Sequence, residues 1–197
     1  MINEKFLLDR GAAFRKYKKD QTIFFEGNMA AFYYQVVEGS IRMVSINEGG
    51  KEFIQGIFKS GQSFGEPVLL IDKPYPASAV ANEDTLVLII NKADFLNILK
   101  EHPEILFNFS QLLAKRIYHK SLVAKAISTH DPEHRIFSIL KILKNDDSNK
   151  NPEKYKFQLS RQQIADMTGL RVETVIRTIK NLEKKDIIKI QKGKIYL

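Results

Sequence analysis

Residues 159–185 read LSRQQIADMTGLRVETVIRTIKNLEKK, and this stretch decides the fold of the C-terminal part of the chain. Ser160 and Gln163 have the spacing of a capping box. In such a box the serine hydroxyl accepts from the glutamine backbone amide, and the glutamine side chain reaches back to the serine amide. The box predicts that a short helix begins after Ser160 and runs over residues 161–167.

A second helix is predicted over residues 171–184. The turn before it contains Gly169, which tolerates the left-handed backbone that such a turn needs. Ala165 in the first helix is small enough for the two helices to cross closely. Two short strands are predicted around the basic turn at 191–194. The order of helix, glycine turn, helix and basic hairpin predicts a winged helix-turn-helix.

The second helix is amphipathic, and its buried side should hold Val175, Ile179 and Leu182. Its opposite side can donate to guanine, accept from cytosine and hold phosphate. That side carries Arg171, Glu173, Thr174, Arg177 and Lys180. On an isolated helix, the i, i+4 spacing of Glu173 and Arg177 would favour a simple ion pair. The capping box, glycine turn and basic wing favour DNA recognition.

Charge and cysteine content narrow the function classes. The 197 residues carry a net charge of +8, and residues 129–197 hold 15 basic against 9 acidic side chains. This excess fits a polyanionic partner, because phosphates neutralised by Lys or Arg release counterions; a solubilising surface is the alternative.

The absence of cysteine excludes disulfides, thiolate nucleophiles and iron–sulfur clusters held by cysteine. No apolar run is long enough to cross a membrane, and the start lacks the features of a secretory signal, so we expect a cytoplasmic location.

The N-terminal part alternates short β-rich runs with glycine turns. The predicted strands cover 22–25, 32–37, 40–47, 52–58, 77–81 and 85–90. Their spacing predicts a small antiparallel barrel or roll. An enzyme on a cupin-like barrel would need a metal triad or a nucleophile with its base. Because residues 22–90 contain no His and no Cys, catalysis is not expected.

A long helix is predicted from Pro103 to about residue 127. It carries an apolar stripe made of Leu106, Phe109, Leu113, Ile117, Ala124 and Ile127. So long a helix in a small chain can cover its own roll and also meet a second copy, so the stripe predicts a homodimer; packing on its own roll alone is the alternative. Pro132 disfavours helical geometry at Asp131, which places a domain boundary at 128–132. A polar surface loop is predicted over 145–152.

Four motifs together resemble the cyclic-AMP receptor/fumarate-nitrate reduction regulator (CRP/FNR) family of dimeric bacterial transcription factors. They are YYQVVEGSI at 33–41, GKE at 50–52, GQSFGE at 61–66 and the segment 159–177, and the resemblance covers nearly the whole chain. It implies an α+β fold in three parts. These are a cyclic-nucleotide-binding-like β-roll (a double-stranded β-helix) over 1–102, a dimerisation helix over 103–128 and a winged helix-turn-helix over 129–197.

The resemblance also implies roles for the recognition helix. Glu173 and Arg177 match the base-contacting pair of the family, and Val172 makes the chain more similar to the fumarate-nitrate regulator than to the cyclic-AMP receptor. We therefore expect a palindromic promoter site whose half-sites keep a guanine–adenine core. The DNA-binding residues expected are Ser160, Arg161, Gln162, Arg171, Val172, Glu173, Thr174, Arg177, Lys180 and Lys192. RNA polymerase and an unidentified small effector stay open as further partners.

The sensor part departs from the family pattern. The implied effector pocket comprises Met43, Phe64, Gly65, Glu66, Tyr75, Ala77 and Ser78. In cyclic-nucleotide binders an arginine about ten residues after Phe-Gly-Glu holds the phosphate, and here Pro76 stands in its place. A buried phosphate would lose a bidentate, charge-assisted pair, so tight cyclic-nucleotide binding is not expected.

Other sensors of the family fit no better. Haem sensing usually needs a histidine in or near the roll, and His102, His119, His130 and His134 all lie beyond it. No cofactor and no metal site are therefore expected. The alternative function is a ligand-sensing regulatory module that acts through protein contacts rather than DNA.

Overall fold

The computed structural model describes residues 2–47, 49–146 and 155–197. The chain divides into two compact units, Met1–Ala114 and Lys115–Leu197, which we call the roll and the head. Most of the polar loop predicted over 145–152 lies outside the described residues, as does Glu48 in the turn between two predicted strands.

The roll begins with a short helix, α1 (Glu4–Leu8), and its described residues form two four-stranded antiparallel sheets. The first sheet has the order β1-β8-β3-β6 and the second β2-β7-β4-β5. The strands are β1 (Ala13–Tyr17), β2 (Thr22–Phe24), β3 (Phe32–Glu38), β4 (Ser40–Ile46), β5 (Glu52–Lys59), β6 (Ser63–Phe64), β7 (Ser78–Ala81) and β8 (Thr85–Asn91), with helix α2 (Pro67–Ile71) between β6 and β7. The two sheets confirm the predicted roll.

Strand β1 was not predicted, and its environment explains why. Its first four residues are exposed, and it lies at the edge of its sheet, where it pairs only with β8. An edge strand with few buried side chains lacks the alternation of apolar and polar residues by which strands are recognised.

Two helices follow the last strand of the roll. The Asn91 side chain accepts from the backbone amide of Asp94 at 2.9 Å, which starts α3 (Lys92–Glu101) as expected of a cap. Helix α4 (Pro103–Ile127) comes next. Phe109 is buried in the core of the roll and Leu113 packs against that core. The other residues of the predicted stripe are Leu106, Ile117 and Ala124, which are exposed, and Ile127, which is half-buried.

After α4, the described residues of the head form three helices and a small sheet. The Asp131 carboxylate accepts from the amides of Glu133 and His134 at 3.1 and 3.0 Å, so it caps α5 at the predicted break. The elements are α5 (Pro132–Asp146), β9 (Lys156–Phe157), α6 (Arg161–Thr168), α7 (Val172–Lys184), β10 (Lys189–Gln191) and β11 (Lys194–Tyr196). The strands pair in the order β10-β11-β9. This arrangement confirms the winged helix-turn-helix. None of the described helices combines the length and apolar character that a membrane span requires.

Candidate nucleic-acid interface

The capping box holds the start of α6. The Gln163 amide donates to Ser160 Oγ at 3.0 Å, and the Ser160 amide donates to Gln163 Oε1 at 2.9 Å. Two orphan amides at the helix end are thereby satisfied. Ser160 and Gln162 are exposed and Arg161 is half-buried. Desolvation lowers the pKa of the Arg161 guanidinium, and the negative charge of Glu183 opposes this shift.

Two features fix the turn between α6 and α7, the backbone conformation of Gly169 and the hydrogen bonds of Arg135. Gly169 has a φ of +69° and closes α6 in the left-handed conformation. The Arg135 guanidinium donates to the Thr129 carbonyl at 2.6 and 3.1 Å, and to the Thr168 carbonyl at 3.2 Å. It therefore ties the start of α5 to the end of α6. Sequence reasoning missed this residue, because no local pattern marks a bond between positions 33 residues apart.

Helix α7 buries the side chains that the periodicity predicted. Val175, Ile179 and Leu182 are buried and belong to the hydrophobic core of the head. This core also contains residues from α5, α6 and the sheet. It fixes the rotation of α7 about its own axis, and so determines which side chains face solvent.

The opposite side of α7 is the candidate interface. Arg171, Glu173, Arg177 and Lys180 are exposed, and Thr174 is half-buried. Arg171 is the N-cap residue, but its side chain makes no capping bond and stays available for a ligand. Within the described part of the chain, no ion pair joins Glu173 to Arg177. Val172 is half-buried and packs against the core of the head.

An open groove of about 460 Å³ runs along this side of α7. It is lined by Glu173, Ile176, Arg177, Lys180, Asn181 and Lys184. Three of the six side chains are cationic and one is anionic. The groove therefore has the charge that suits a phosphate-bearing ligand, together with one carboxylate that can accept from a base.

The β10–β11 hairpin adds a cation beside the helix. Lys192 is exposed at its tip, where Lys192 and Gly193 both have positive φ. The Glu183 carboxylate of α7 accepts from the Ile190 amide at 3.1 Å, which joins the hairpin to the helix. This hydrogen bond therefore holds the β10–β11 hairpin against α7.

The residues expected to form an effector pocket come together in the interior of the roll. Phe64, Tyr75, Ala77 and Met43 belong to its hydrophobic core, and the Glu66 side chain is fully buried. The other two members are Gly65 in the left-handed region and Ser78, which is half-buried and accepts from the Glu26 amide at 2.9 Å. Ser63 Oγ donates to Glu66 Oε1 at 3.0 Å.

Aromatic rings fill the space around Gly65. Phe24 stacks on Tyr75 with ring centroids 3.7 Å apart and an angle of 14°. A Cβ atom at Gly65 would lie 2.9 Å from Phe24 Cζ and 3.1 Å from Tyr75 Cε1. Burial raises the pKa of Tyr75 to about 12 and raises that of the adjacent Tyr34 above its ordinary range. Sequence reasoning placed Tyr75 here but missed Phe24, whose partner lies 51 positions further along the chain.

Two family models match the chain. The cyclic nucleotide-binding domain matches residues 14–102, and the Crp-like helix-turn-helix domain matches residues 134–197.

In the described part of the chain, no group of three or more His, Cys, Asp or Glu side chains could hold a metal ion.

Characterised relatives cover most of the chain. The cyclic AMP receptor protein of Thermus thermophilus is 29% identical over 182 residues, which are 92% of this chain and 82% of that protein. The cAMP-activated global transcriptional regulator CRP of Haemophilus influenzae is 29% identical over 175 residues, 88% of this chain and 78% of the relative. The second of these relatives is, by its name, a transcriptional regulator.

Solved structures share the fold. The c-di-GMP-responsive global regulator CLP of Xanthomonas campestris superposes with a TM-score of 0.79 at 21% identity, covering 98% of both chains. The catabolite activator protein of Thermus thermophilus superposes with a TM-score of 0.57 at 27% identity, covering 99% of this chain and 90% of that one.

Proposed function

Because the chain belongs to the CRP/FNR family of transcription regulators, we propose that two copies bind a palindromic promoter site, each placing α7 in the major groove of one half-site. The observation that carries this proposal is the exposure of Glu173, Arg177 and Lys180 along one groove of α7. The helix buries the opposite side in the core of the head.

The chemistry of the groove assigns a role to each group. The Arg177 guanidinium donates two parallel hydrogen bonds to guanine O6 and N7, and the Glu173 carboxylate accepts from cytosine N4. These residues lie one helical turn apart, so together they read neighbouring base pairs in a guanine–adenine core. Arg171, Lys180 and the wing residue Lys192 hold phosphates. The remaining contacts come from Ser160, Arg161, Gln162, Val172 and Thr174.

A second copy of the chain accounts for the apolar surface of α4. Leu106 and Ile117 of the predicted stripe are exposed at 42% and 67%. Three further large side chains of the helix are also exposed, namely Phe107, Tyr118 and Leu122. Exposed large apolar side chains clustered along one helix are typical of a protein interface. We therefore assign residues 103–128 to dimerisation. Residues 1–102 are then the sensor part of the chain, and residues 129–197 are the DNA-binding part.

We further propose that cyclic AMP does not control this regulator. Pro76 stands where the phosphate-holding arginine of cyclic-nucleotide binders is expected, and it cannot donate a hydrogen bond. Phe24 and Tyr75 lie against Gly65, the position from which the family's phosphate-binding turn begins. We count a small effector of another class and RNA polymerase as further candidate partners. We place the protein in the cytoplasm, where promoter DNA lies.

The DNA-binding proposal is tested by selecting duplexes from a random pool with the full chain and measuring their affinity by fluorescence anisotropy. Replacing Arg177 with alanine should cost about 1–3 kcal/mol on the selected site and relax the preference at one base pair. Arg15→Ala is the matched control, because Arg15 is exposed on β1 of the roll and carries the same charge. It should leave the preference intact.

Two outcomes would count against this assignment. A uniform loss of affinity over all sequences in the Arg177 variant would make this residue a phosphate contact. Failure to enrich any sequence, or an affinity that does not fall as salt rises, would overturn DNA binding and favour a module that acts through protein contacts.

The proposal on cyclic AMP has its own experiment. Calorimetric titration of the full chain with cyclic AMP should give no saturable heat at submicromolar concentrations. A submicromolar dissociation constant would refute the role given to Pro76 and to the stacked rings.

A further inference from the structure

We propose that Glu183 is a positioning residue for DNA binding: it holds the wing, the β10–β11 hairpin, in the place from which Lys192 contacts a phosphate. The inference rests on the proposed DNA-binding function and adds to it a residue that acts through another. It starts from the hydrogen bond that the Ile190 amide donates to Glu183 Oε1 at 3.1 Å, across seven positions of the chain.

The Ile190 amide belongs to the outer strand of the small sheet. The strands pair in the order β10-β11-β9, so β10 lies at one edge. At the edge of a sheet, the amides that point away from the neighbouring strand have no partner in the ladder of hydrogen bonds. The Glu183 carboxylate of α7 supplies the acceptor that this edge lacks.

The tip of the wing depends on the anchor at Ile190. The side chain of this residue packs against the core of the head, so its amide and its side chain are both held. Lys192 follows two residues later, about 7 Å along an extended strand. Lys192 and Gly193 have φ values of +47° and +75°, which is typical of a tight two-residue hairpin turn. Because such a tip moves together with its strands, the anchor determines where the lysine ammonium lies.

The carboxylate that anchors the wing belongs to the recognition helix. Glu183 follows Lys180 by three residues, so their side chains are neighbours on the helix surface, and Lys180 lines the groove together with Arg177. The negative charge of Glu183 also acts on Arg161 at the start of α6, where it opposes the fall in the pKa of the guanidinium caused by burial. One half-buried side chain therefore connects α6, α7 and the wing.

Electrostatics alone predicts the opposite effect for this residue. A carboxylate next to a phosphate-binding surface repels DNA, so removing its charge should strengthen binding if it had no other role. A positioning role predicts that Glu183→Ala weakens binding although the protein becomes more positive. The sign of the change therefore distinguishes the two explanations.

The experiment is a double-mutant cycle between Glu183 and Lys192. The full chain, Lys192→Ala, Glu183→Ala and the double variant are titrated onto the duplex selected by the full chain, at salt concentrations from about 50 to about 200 mM. Loss of one phosphate contact lowers the slope of log affinity against log salt by about 0.9, so the affinity lost over this range becomes about 3.5-fold smaller. Lys192→Ala should show this change in the wild-type background and almost none in the Glu183→Ala background.

Two further variants separate the hydrogen bond from the charge. Glu183→Gln keeps an oxygen that accepts from the Ile190 amide but has no charge, so the effect of Lys192→Ala should persist in it. Asp186→Asn is the matched control, because Asp186 is exposed in the turn after α7 and asparagine tolerates its φ of +54°. It removes the same charge and should also preserve the effect of Lys192→Ala. Circular dichroism melting of each variant checks that the head stays folded.

The possible results separate this inference from the proposed function. Sequence-specific binding in which Lys192→Ala has the same effect with and without Glu183, or has no effect in the wild type, would overturn the inference and leave DNA binding intact. Loss of the effect in Glu183→Gln as well would overturn the role given to the hydrogen bond. Absence of sequence-specific binding would overturn both the inference and the proposed function.

Discussion

Replacing Gly65 with alanine should destabilise the roll by about 2–5 kcal/mol. Two costs add at this position. Gly65 has a φ of +74°, and a residue with a Cβ atom in the left-handed region costs about 1–2 kcal/mol. The new Cβ would also lie 2.9 Å from Phe24 Cζ and 3.1 Å from Tyr75 Cε1. Both rings are buried and stacked on each other, so neither can swing into solvent, and overpacking costs about 1–3 kcal/mol more.

Gly27→Ala separates the two costs. Gly27 has a φ of +83°, but a Cβ there would meet no atom within 4 Å, so only the backbone cost applies. The assay is urea unfolding of both variants, monitored by the near-ultraviolet circular dichroism signal of the tyrosines. The difference between the variants should be about 1–3 kcal/mol, and Phe24→Leu in the Gly65→Ala background should recover part of it. Equal destabilisation by the two alanines would refute the conclusion that the stacked rings fill the space at Gly65.

Three further predictions concern single groups. Ser160→Ala removes the cap of α6 and should cost the head about 1 kcal/mol in thermal unfolding; an unchanged melting temperature would contradict this. Arg135→Met removes the donor to the buried residue Thr168 and should cost about 1–3 kcal/mol in urea unfolding, whereas a cost below about 0.5 kcal/mol would mean that water replaces the guanidinium. Burial raises the pKa of Tyr75 to about 12, so the unfolded chain loses this proton near pH 10 while the folded roll retains it. The stability that this difference contributes is complete below pH 10 and is lost as the pH rises to 12, by roughly 2–3 kcal/mol. Tyr75→Phe should flatten that loss, and an identical pH profile in both proteins would contradict it.

The helix-turn-helix was predictable because its signals are local. The capping box joins residues three positions apart, the Gly169 turn needs one backbone conformation, and the apolar residues of α7 follow helical spacing. Each signal depends on neighbours in the chain, and each predicted element is present in the structure. The boundaries moved by one or two residues, as at α7, which begins at Val172 rather than Arg171.

Contacts between distant residues could not be predicted in the same way. The bond from Arg135 to the Thr168 carbonyl joins two helices of the head. The structure also leaves Ile176 exposed on the charged side of α7. Its exposure follows from which side of α7 the core covers, and an isoleucine in an amphipathic helix is ordinarily counted with the buried side.

The sequence by itself determined the kinds of element, their order and the charged side of the recognition helix, because periodicity, caps and turns act over a few residues. Only the tertiary structure decided which apolar residues of α4 the roll covers and that Phe24 lies on Tyr75 against Gly65. The physical reason is that β2 meets β7 through antiparallel pairing. This pairing brings Phe24 of β2 beside Tyr75, which lies in the loop before β7. The packing of the two rings depends on the shape of the whole interior rather than on any local pattern.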